Sequence, residues 1–179
     1  MSGVLKVPVG SRDHLQGSPD APVALVEYGD YECPYCARAH PIVKLLQRRA
    51  GKLLTFAFRN FPLTEIHPHA EQAAEAAEAA GARGRYWAMH DMIYEHQNDG
   101  LELRDLTQYA AAIGLDPIAV SQDILSHTFL PRIREDFMGG VRSGVNGTPT
   151  FFINGVRFDG DWTDVEAFAT AITEAAVPA

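Results

Sequence analysis

Cys33 and Cys36 are the only two cysteines in the 179-residue sequence, and they stand together as Cys33-Pro34-Tyr35-Cys36. Neither has a third thiol to bond with, so a secreted scaffold stapled by disulfides is excluded. A redox couple, half of a metal site and two unrelated thiols all remain open for such a pair. The attacking species in disulfide exchange is a thiolate, so the redox reading depends on whether the local structure stabilises one.

The elements that must position the pair can be read from the flanking residues. Val23 to Tyr28 is an apolar run between Gly17–Pro22 and Gly29-Asp30, and it predicts a buried strand with Glu27 as its one odd residue. Ile42, Val43, Leu45, Leu46 and Ala50 then follow helical spacing up to Gly51, which predicts a helix from about Pro34 to Ala50 with a kink at Pro41. Cys33 falls at the N-cap of that helix and Pro34 at its first turn, where proline's missing N–H costs nothing. Unpaired backbone N–H groups and the positive end of the helix dipole there favour a thiolate at Cys33. Cys36, three residues on and on the same face, lies within disulfide reach and can resolve a mixed disulfide.

Leu53 to Phe58 predicts a second strand, and a helical crossover between two strands implies a right-handed parallel βαβ unit in an α/β fold. Residues 62–144 then read as helical throughout: His69–Ala80, Arg85–Gln97, Leu103–Ile113, Pro117–Leu125 and Pro131–Arg142. The first of these, rich in Ala and Glu, reads as a surface helix with a small-residue packing face. Trp87, Met89, Tyr94 and Phe137 are expected in the core of this helical block, which should cover one side of the Cys33 surface as a cap. The sheet resumes at Thr150–Ile153 and Val156–Phe158, joined by Asn154-Gly155 as an antiparallel hairpin. An amphipathic helix over Thr163–Ala176 closes the chain.

Composition limits the partners. Fifteen basic residues against 23 acidic ones leave a net charge of −8, a poor footprint for nucleic acid or anionic lipid. No apolar run approaches the roughly 18 residues of a membrane span, so no membrane insertion is expected. Met1–Gly10 does not read as a secretory signal, which points to the cytoplasm; a mature periplasmic chain, its signal already removed, is the alternative. His40, His67 and His69 near the cysteines have the residue types of a zinc site, but a zinc ribbon needs a second C-x-x-C and this sequence has none. No metal and no cofactor are therefore expected. His40 reads instead as a partly exposed helix residue, and His67 and His69 as the start of the next helix.

Three stretches taken together are more specific than the cysteine motif alone: Val26-Glu27-Tyr28-Gly29-Asp30-Tyr31-Glu32-Cys33-Pro34-Tyr35-Cys36, Arg59-Asn60-Phe61-Pro62-Leu63, and Gly147-Thr148-Pro149-Thr150-Phe151-Phe152-Ile153-Asn154-Gly155. With these the sequence resembles the DsbA-like thiol-disulfide oxidoreductases of the thioredoxin superfamily. The resemblance implies a thioredoxin core at about 22–61 and 145–179, interrupted by an inserted helical cap at about 62–144, in one domain over 1–179. It implies Cys33 as an exposed nucleophile and Cys36 as a buried resolving thiol. Pro149 would be a cis-proline beside the disulfide, and Thr148 would offer its backbone to an extended substrate flanked by Pro34 and Tyr35. Glu27 matches the buried acid that moves a proton to or from the resolving thiol.

The activity implied is disulfide exchange with protein or small thiol substrates and an unidentified redox partner. Tyr35 stands where the best-known oxidases of the family have histidine, which leaves the direction of electron flow open and suggests a weaker oxidant. Related domains occur fused to sodium/proton antiporters, so a redox-sensing module that binds a partner protein is the second reading. A glutathione-linked transferase or isomerase ranks lower, because such relatives usually lack one or both cysteines.

Overall fold

The computed structural model describes residues 3–177. Its five-stranded sheet has the order β1-β3-β2-β4-β5, with β1 at His14–Gln16, β2 at Val23–Gly29, β3 at Leu54–Asn60, β4 at Thr150–Ile153 and β5 at Val156–Arg157. Strands β2 and β3 are parallel and joined through helix α1, Pro34–Ala50; all the other pairings are antiparallel. The Asn154-Gly155 turn has φ of 46° and 80°, the left-handed pair that a two-residue hairpin requires. Helices α2 (Ala70–Gly81), α3 (Tyr86–Glu95), α4 (Leu103–Ala112), α5 (Pro117–Leu125) and α6 (Leu130–Arg142) lie between β3 and β4, and α7 (Val165–Ala175) ends the fold. This is the α/β thioredoxin fold with the helical insertion in the expected place.

Side-chain alternation along the strands separates two cores. Val23 and Leu25 of β2, Leu54, Phe56 and Phe58 of β3, and Phe151 and Ile153 of β4 pack with residues of α1, α2, α3 and α7. Val26, Tyr28, Ala57, Phe61 and Phe152 form the core of the opposite face. Period two puts Glu27 on the first of these faces, under α1, so the acid and the cysteines share one side of the sheet.

Four local expectations need correcting. Helix α2 is no surface helix: from Ala73 to Ala80 every residue is buried, because methyl side chains allow α3, α4, α5 and α6 to approach it from several sides. Its two buried acids have partners, His127 Nδ1 at 3.0 Å from Glu75 and His14 Nε2 at 2.8 Å from Glu78. His40 is only 9% exposed, because α3 covers that face of α1. His67 and His69 precede α2 rather than starting it, with His69 at the N-cap. Phe137 leaves the cap altogether and stacks on Phe61 at 4.3 Å, since α6 packs against the sheet.

Strand β1 and the short bridge between Val4 and Val156 had no sequence signal, since His-Leu-Gln is too short to show alternation. Gly29 ends β2 beside Phe58, and a Cβ there would lie 2.3 Å from that ring. Gly29→Ala is therefore expected to cost about 1–3 kcal/mol by overpacking. Its denaturation midpoint should fall with an unchanged slope; an unchanged midpoint would mean that Phe58 has room to move.

Candidate active site

The turn from β2 into α1 is tied down before it reaches the cysteines. Asp30, just past β2, accepts hydrogen bonds from the backbone N–H groups of Glu32 (2.8 Å) and Leu63 (2.8 Å), and its Oδ2 lies 2.8 Å from His67 Nδ1. One carboxylate thus fastens the loop before α1 to the loop after β3. His69 does the same for Glu32, at 2.8 Å from Oε1. From the helical block, the Gln97 side-chain amide donates to the carbonyls of Tyr31 (2.8 Å) and Cys33 (3.1 Å), and the Tyr94 hydroxyl donates to that of Asp30 (3.3 Å). The site roles of Asp30, Gln97 and Tyr94 escaped the sequence reading, although Asp30 lies in a motif stretch and Tyr94 was expected in the core, because they act through backbone groups distant in sequence.

Cys33 is the N-cap of α1 in an extended conformation, with Pro34 in the first turn. Both cysteines are free thiols. Cys33 was expected to be exposed, yet it is only 3% so, because the Thr148 carbonyl oxygen lies over its Sγ at 3.4 Å. Pro34 and Tyr35 beside it are exposed, Tyr35 by 57%. The Thr148–Pro149 peptide bond is cis. The Thr148 hydroxyl is buried without a hydrogen-bond partner among the described residues, which leaves it free to donate to an ionised Sγ. A groove lined by Glu32, Pro34, His69, Gln97, Leu101 and Arg104 runs from the helix start along the helical block. The block thus flanks the site on one side.

The two thiols are driven apart in acidity. Cys33 is brought down to about 5, chiefly by a hydrogen bond from the Cys36 thiol, with help from Thr148 and the helix-start N–H groups of Cys36 and Tyr35; partial burial opposes this. Cys36 is fully buried, and that burial raises it well above an ordinary thiol; its hydrogen bond to Cys33 and the nearby Glu27 charge add to the effect. Glu27 is 2% exposed, and burial lifts its carboxyl to about 8, with a smaller contribution from the Cys33 charge. One of its oxygens, Oε1, is buried without a partner among the described residues. The structure therefore places Glu27 in the central strand beneath the cysteines and not at a sheet edge.

A family model described as thioredoxin matches residues 10–174. The chain belongs to this thioredoxin family. Its curated relatives include the Na(+)/H(+) antiporter NhaA 1 of Salinispora arenicola, 45% identical over 96% of this chain and 26% of the relative. The Na(+)/H(+) antiporter NhaA of Herminiimonas arsenicoxydans is 39% identical over 96% of this chain and 27% of its own length. The chain spans about a quarter of the length of these relatives. Among solved structures, oxidised BdbD from Bacillus subtilis superimposes with a TM-score of 0.87 at 22% identity, covering 98% of this chain and 99% of the other. A thioredoxin-like oxidoreductase from Silicibacter pomeroyi gives 0.75 at 25% identity, over 94% and 95% of the two chains. The resemblance drawn from the cysteine motif and its companion stretches thus stands: this thioredoxin-family chain has a DsbA-like fold and a Cys33–Cys36 pair.

Among the described residues, the metal-ligating groups that come together are His40, His90 and Asp91; the cysteines are not among them. His67 and His69, which had the residue types to complete a cysteine zinc site, turn instead to Asp30 and Glu32.

Proposed function

We propose that the protein is a thiol-disulfide oxidoreductase acting on protein or small thiol substrates. The observation that carries this reading is the opposed acidity of two adjacent thiols at a helix start, Cys33 low and Cys36 high. In the reducing direction, the Cys33 thiolate attacks a substrate disulfide, one substrate sulfur leaves as a thiolate, and a mixed disulfide forms at Cys33. Cys36 then gives its proton to the Glu27 carboxylate and attacks Cys33 Sγ. The second substrate sulfur is released, and the protein keeps the disulfide while the substrate gains two electrons. In the oxidising direction, a substrate thiolate attacks Cys33 Sγ, Cys36 leaves, and Glu27 returns a proton to it. A carboxyl with a pKa of about 8 is mostly protonated at neutral pH, which suits the oxidising direction.

The Thr148 backbone and Pro149 form the wall on which an extended substrate segment lies beside Cys33, and the exposed Pro34 and Tyr35 meet its side chains. Cys36→Ser tests the order of attack, since it leaves the first step intact and removes the second. A mixed disulfide with a disulfide-containing peptide should accumulate through Cys33; its absence would remove Cys33 as the attacking sulfur.

Magnitudes set the expected reduction potential. A nucleophilic thiol of pKa near 5 is about 99% thiolate at pH 7, whereas that of thioredoxin, with a pKa near 7, is about half. The extra ionisation stabilises the dithiol form by about 2.3 kcal/mol, or roughly 50 mV for two electrons. Starting from about −270 mV for thioredoxin, a reduction potential near −220 mV is expected. Equilibration with glutathione measures it. A value at or below about −270 mV would contradict a Cys33 thiolate more stable than that of thioredoxin.

A second reading is a redox-regulated module acting on a partner protein. It draws on the relatives named as antiporters, of which this chain matches about a quarter. Catalytic turnover separates enzyme from module, since a module binds its partner stoichiometrically without turning over peptide disulfides.

A further inference from the structure

A second cluster of reactive groups lies between α1 and α3, one helical turn past Cys36 on the α1 side. We propose that His40, His90 and Asp91 form a binding site for a divalent transition metal of the zinc class, separate from the two thiols. A ring nitrogen from each histidine and a carboxylate oxygen of Asp91 all lie within 4.8 Å of one another. Zinc with three such ligands and a water in the fourth position is a well-populated arrangement, with metal–ligand bonds of about 2.0–2.2 Å. A tetrahedron with bonds of that length has edges of about 3.4 Å. The separation of His40 Nε2 from Asp91 Oδ1 is 3.5 Å, close to that edge and well beyond the roughly 2.8 Å of a charge-assisted hydrogen bond.

Three further features support a ligand between these side chains. Asp91 Oδ1 is buried and has no hydrogen-bond partner among the described residues, although its carboxylate keeps Lys44 on the other oxygen. A buried, unpaired carboxylate oxygen costs free energy that a cation would offset. His90 Nδ1 is held 2.9 Å from the Tyr31 hydroxyl, which leaves Nε2 as the free nitrogen and fixes the ring as metal-bound histidines are usually fixed. Both imidazoles are also buried, His40 9% and His90 3% exposed, so little water competes for their ring nitrogens. Opposing charge comes from Lys44 and, at His90, from His14 as well, while Glu95 adds negative potential near His40. Asp91 and Lys44, each 28% exposed at the side chain, open the site to solvent. A metal there would clamp α3 of the helical block to α1 of the thioredoxin core.

The test uses the oxidised protein, in which the cysteines are closed as a disulfide and offer no thiolate. Titration with Co2+ should show one equivalent bound, with the intense visible absorption of a tetrahedral site and no sulfur charge-transfer band. Zn2+ should displace it. His40→Gln and Asp91→Asn should each weaken binding by about 100-fold or more. Tyr31→Phe, which frees the His90 ring and also removes a hydrogen bond to the Tyr86 hydroxyl, should cost about tenfold. His69→Gln should have no effect, because His69 turns to Glu32. Asp91 is partly exposed, so Asp91→Asn remains decisive if the more buried His40 variant fails to fold. No binding to the oxidised protein or binding that survives Asp91→Asn would each overturn the assignment; binding seen only after reduction, with a thiolate band, would place the metal on Cys33 and Cys36 instead.

Discussion

Cys33→Ser is expected to abolish disulfide exchange, and the wild-type rate should depend on pH in a way no ordinary thiol would show. At pH 7 the low pKa gains little in attack. An ordinary thiol of pKa about 8.5 is roughly 3% ionised there, so Cys33 has about thirtyfold more thiolate, but intrinsic nucleophilicity falls by a similar factor over the same displacement. The advantage lies elsewhere. At pH 5 Cys33 is still about half thiolate, whereas the ordinary thiol is down to about 0.03%. Even after the loss of nucleophilicity, some thirty- to sixtyfold remains. A thiolate this stable is also a good leaving group, so a mixed disulfide on Cys33 should be readily released when a second substrate thiolate attacks its substrate sulfur. Stopped-flow reaction of the reduced protein with a substrate disulfide from pH 4 to 8 checks the advantage at low pH, and a rate whose midpoint lies near pH 5 supports it. A rate limited by an additional group near 8.5 would remove the low-pKa thiolate from the mechanism.

Glu27→Gln is expected to stabilise the protein and to slow exchange. The carboxyl is lifted from 4.5 to about 8, first by burial and second by the Cys33 charge. The folded protein therefore keeps a proton that the unfolded chain gives up from pH 4.5 upward. Stability from this group is full below pH 4.5, falls as pH rises towards 8 and is flat above it. The displacement corresponds to at most about 5 kcal/mol, of which roughly 3 kcal/mol is felt at pH 7. Glutamine keeps the shape, cannot ionise, and should recover a few kcal/mol at pH 8 while gaining nothing near pH 4. Urea denaturation of the reduced forms, in which Cys33 can carry its charge, at both pH values measures the difference. The same variant should lose the pH dependence of Cys36 departure between pH 6 and 9. Equal stability differences at pH 4 and pH 8 would mean that Glu27 is solvated and not the proton carrier.

Much of the frame could be read in the residues. The β2–α1–β3 unit, the Asn154-Gly155 hairpin and the closing helix rest on short-range signals: apolar runs, proline at a helix start, glycine at a helix end. The placement of Glu27 was legible as well, because period two along β2 fixes its face once the strand is known. Burial set by distant packing was not legible. An Ala/Glu helix has the same pattern whether it faces water or four other helices, and Glu75 and Glu78 are tolerated inside only because His127, His14 and Asn60 reach them. The covering of Cys33 by Thr148 likewise depends on two segments 115 residues apart in sequence. Gln97, which holds the site loop through backbone carbonyls, carries no motif at all, and Asp30 lies in a motif stretch that gives no sign of its bonds to the loop after β3.

The central claim is that one sulfur is a stabilised thiolate and its neighbour three residues on a buried thiol. Pulse alkylation of the reduced protein over pH 3 to 9, with each site resolved by peptide mass, tests it most directly. Cys33 should label with half-maximal thiolate near pH 5, and Cys36 should remain unlabelled through neutral pH. A Cys33 midpoint near the free value of about 8.5, or labelling of Cys36 first, would contradict it.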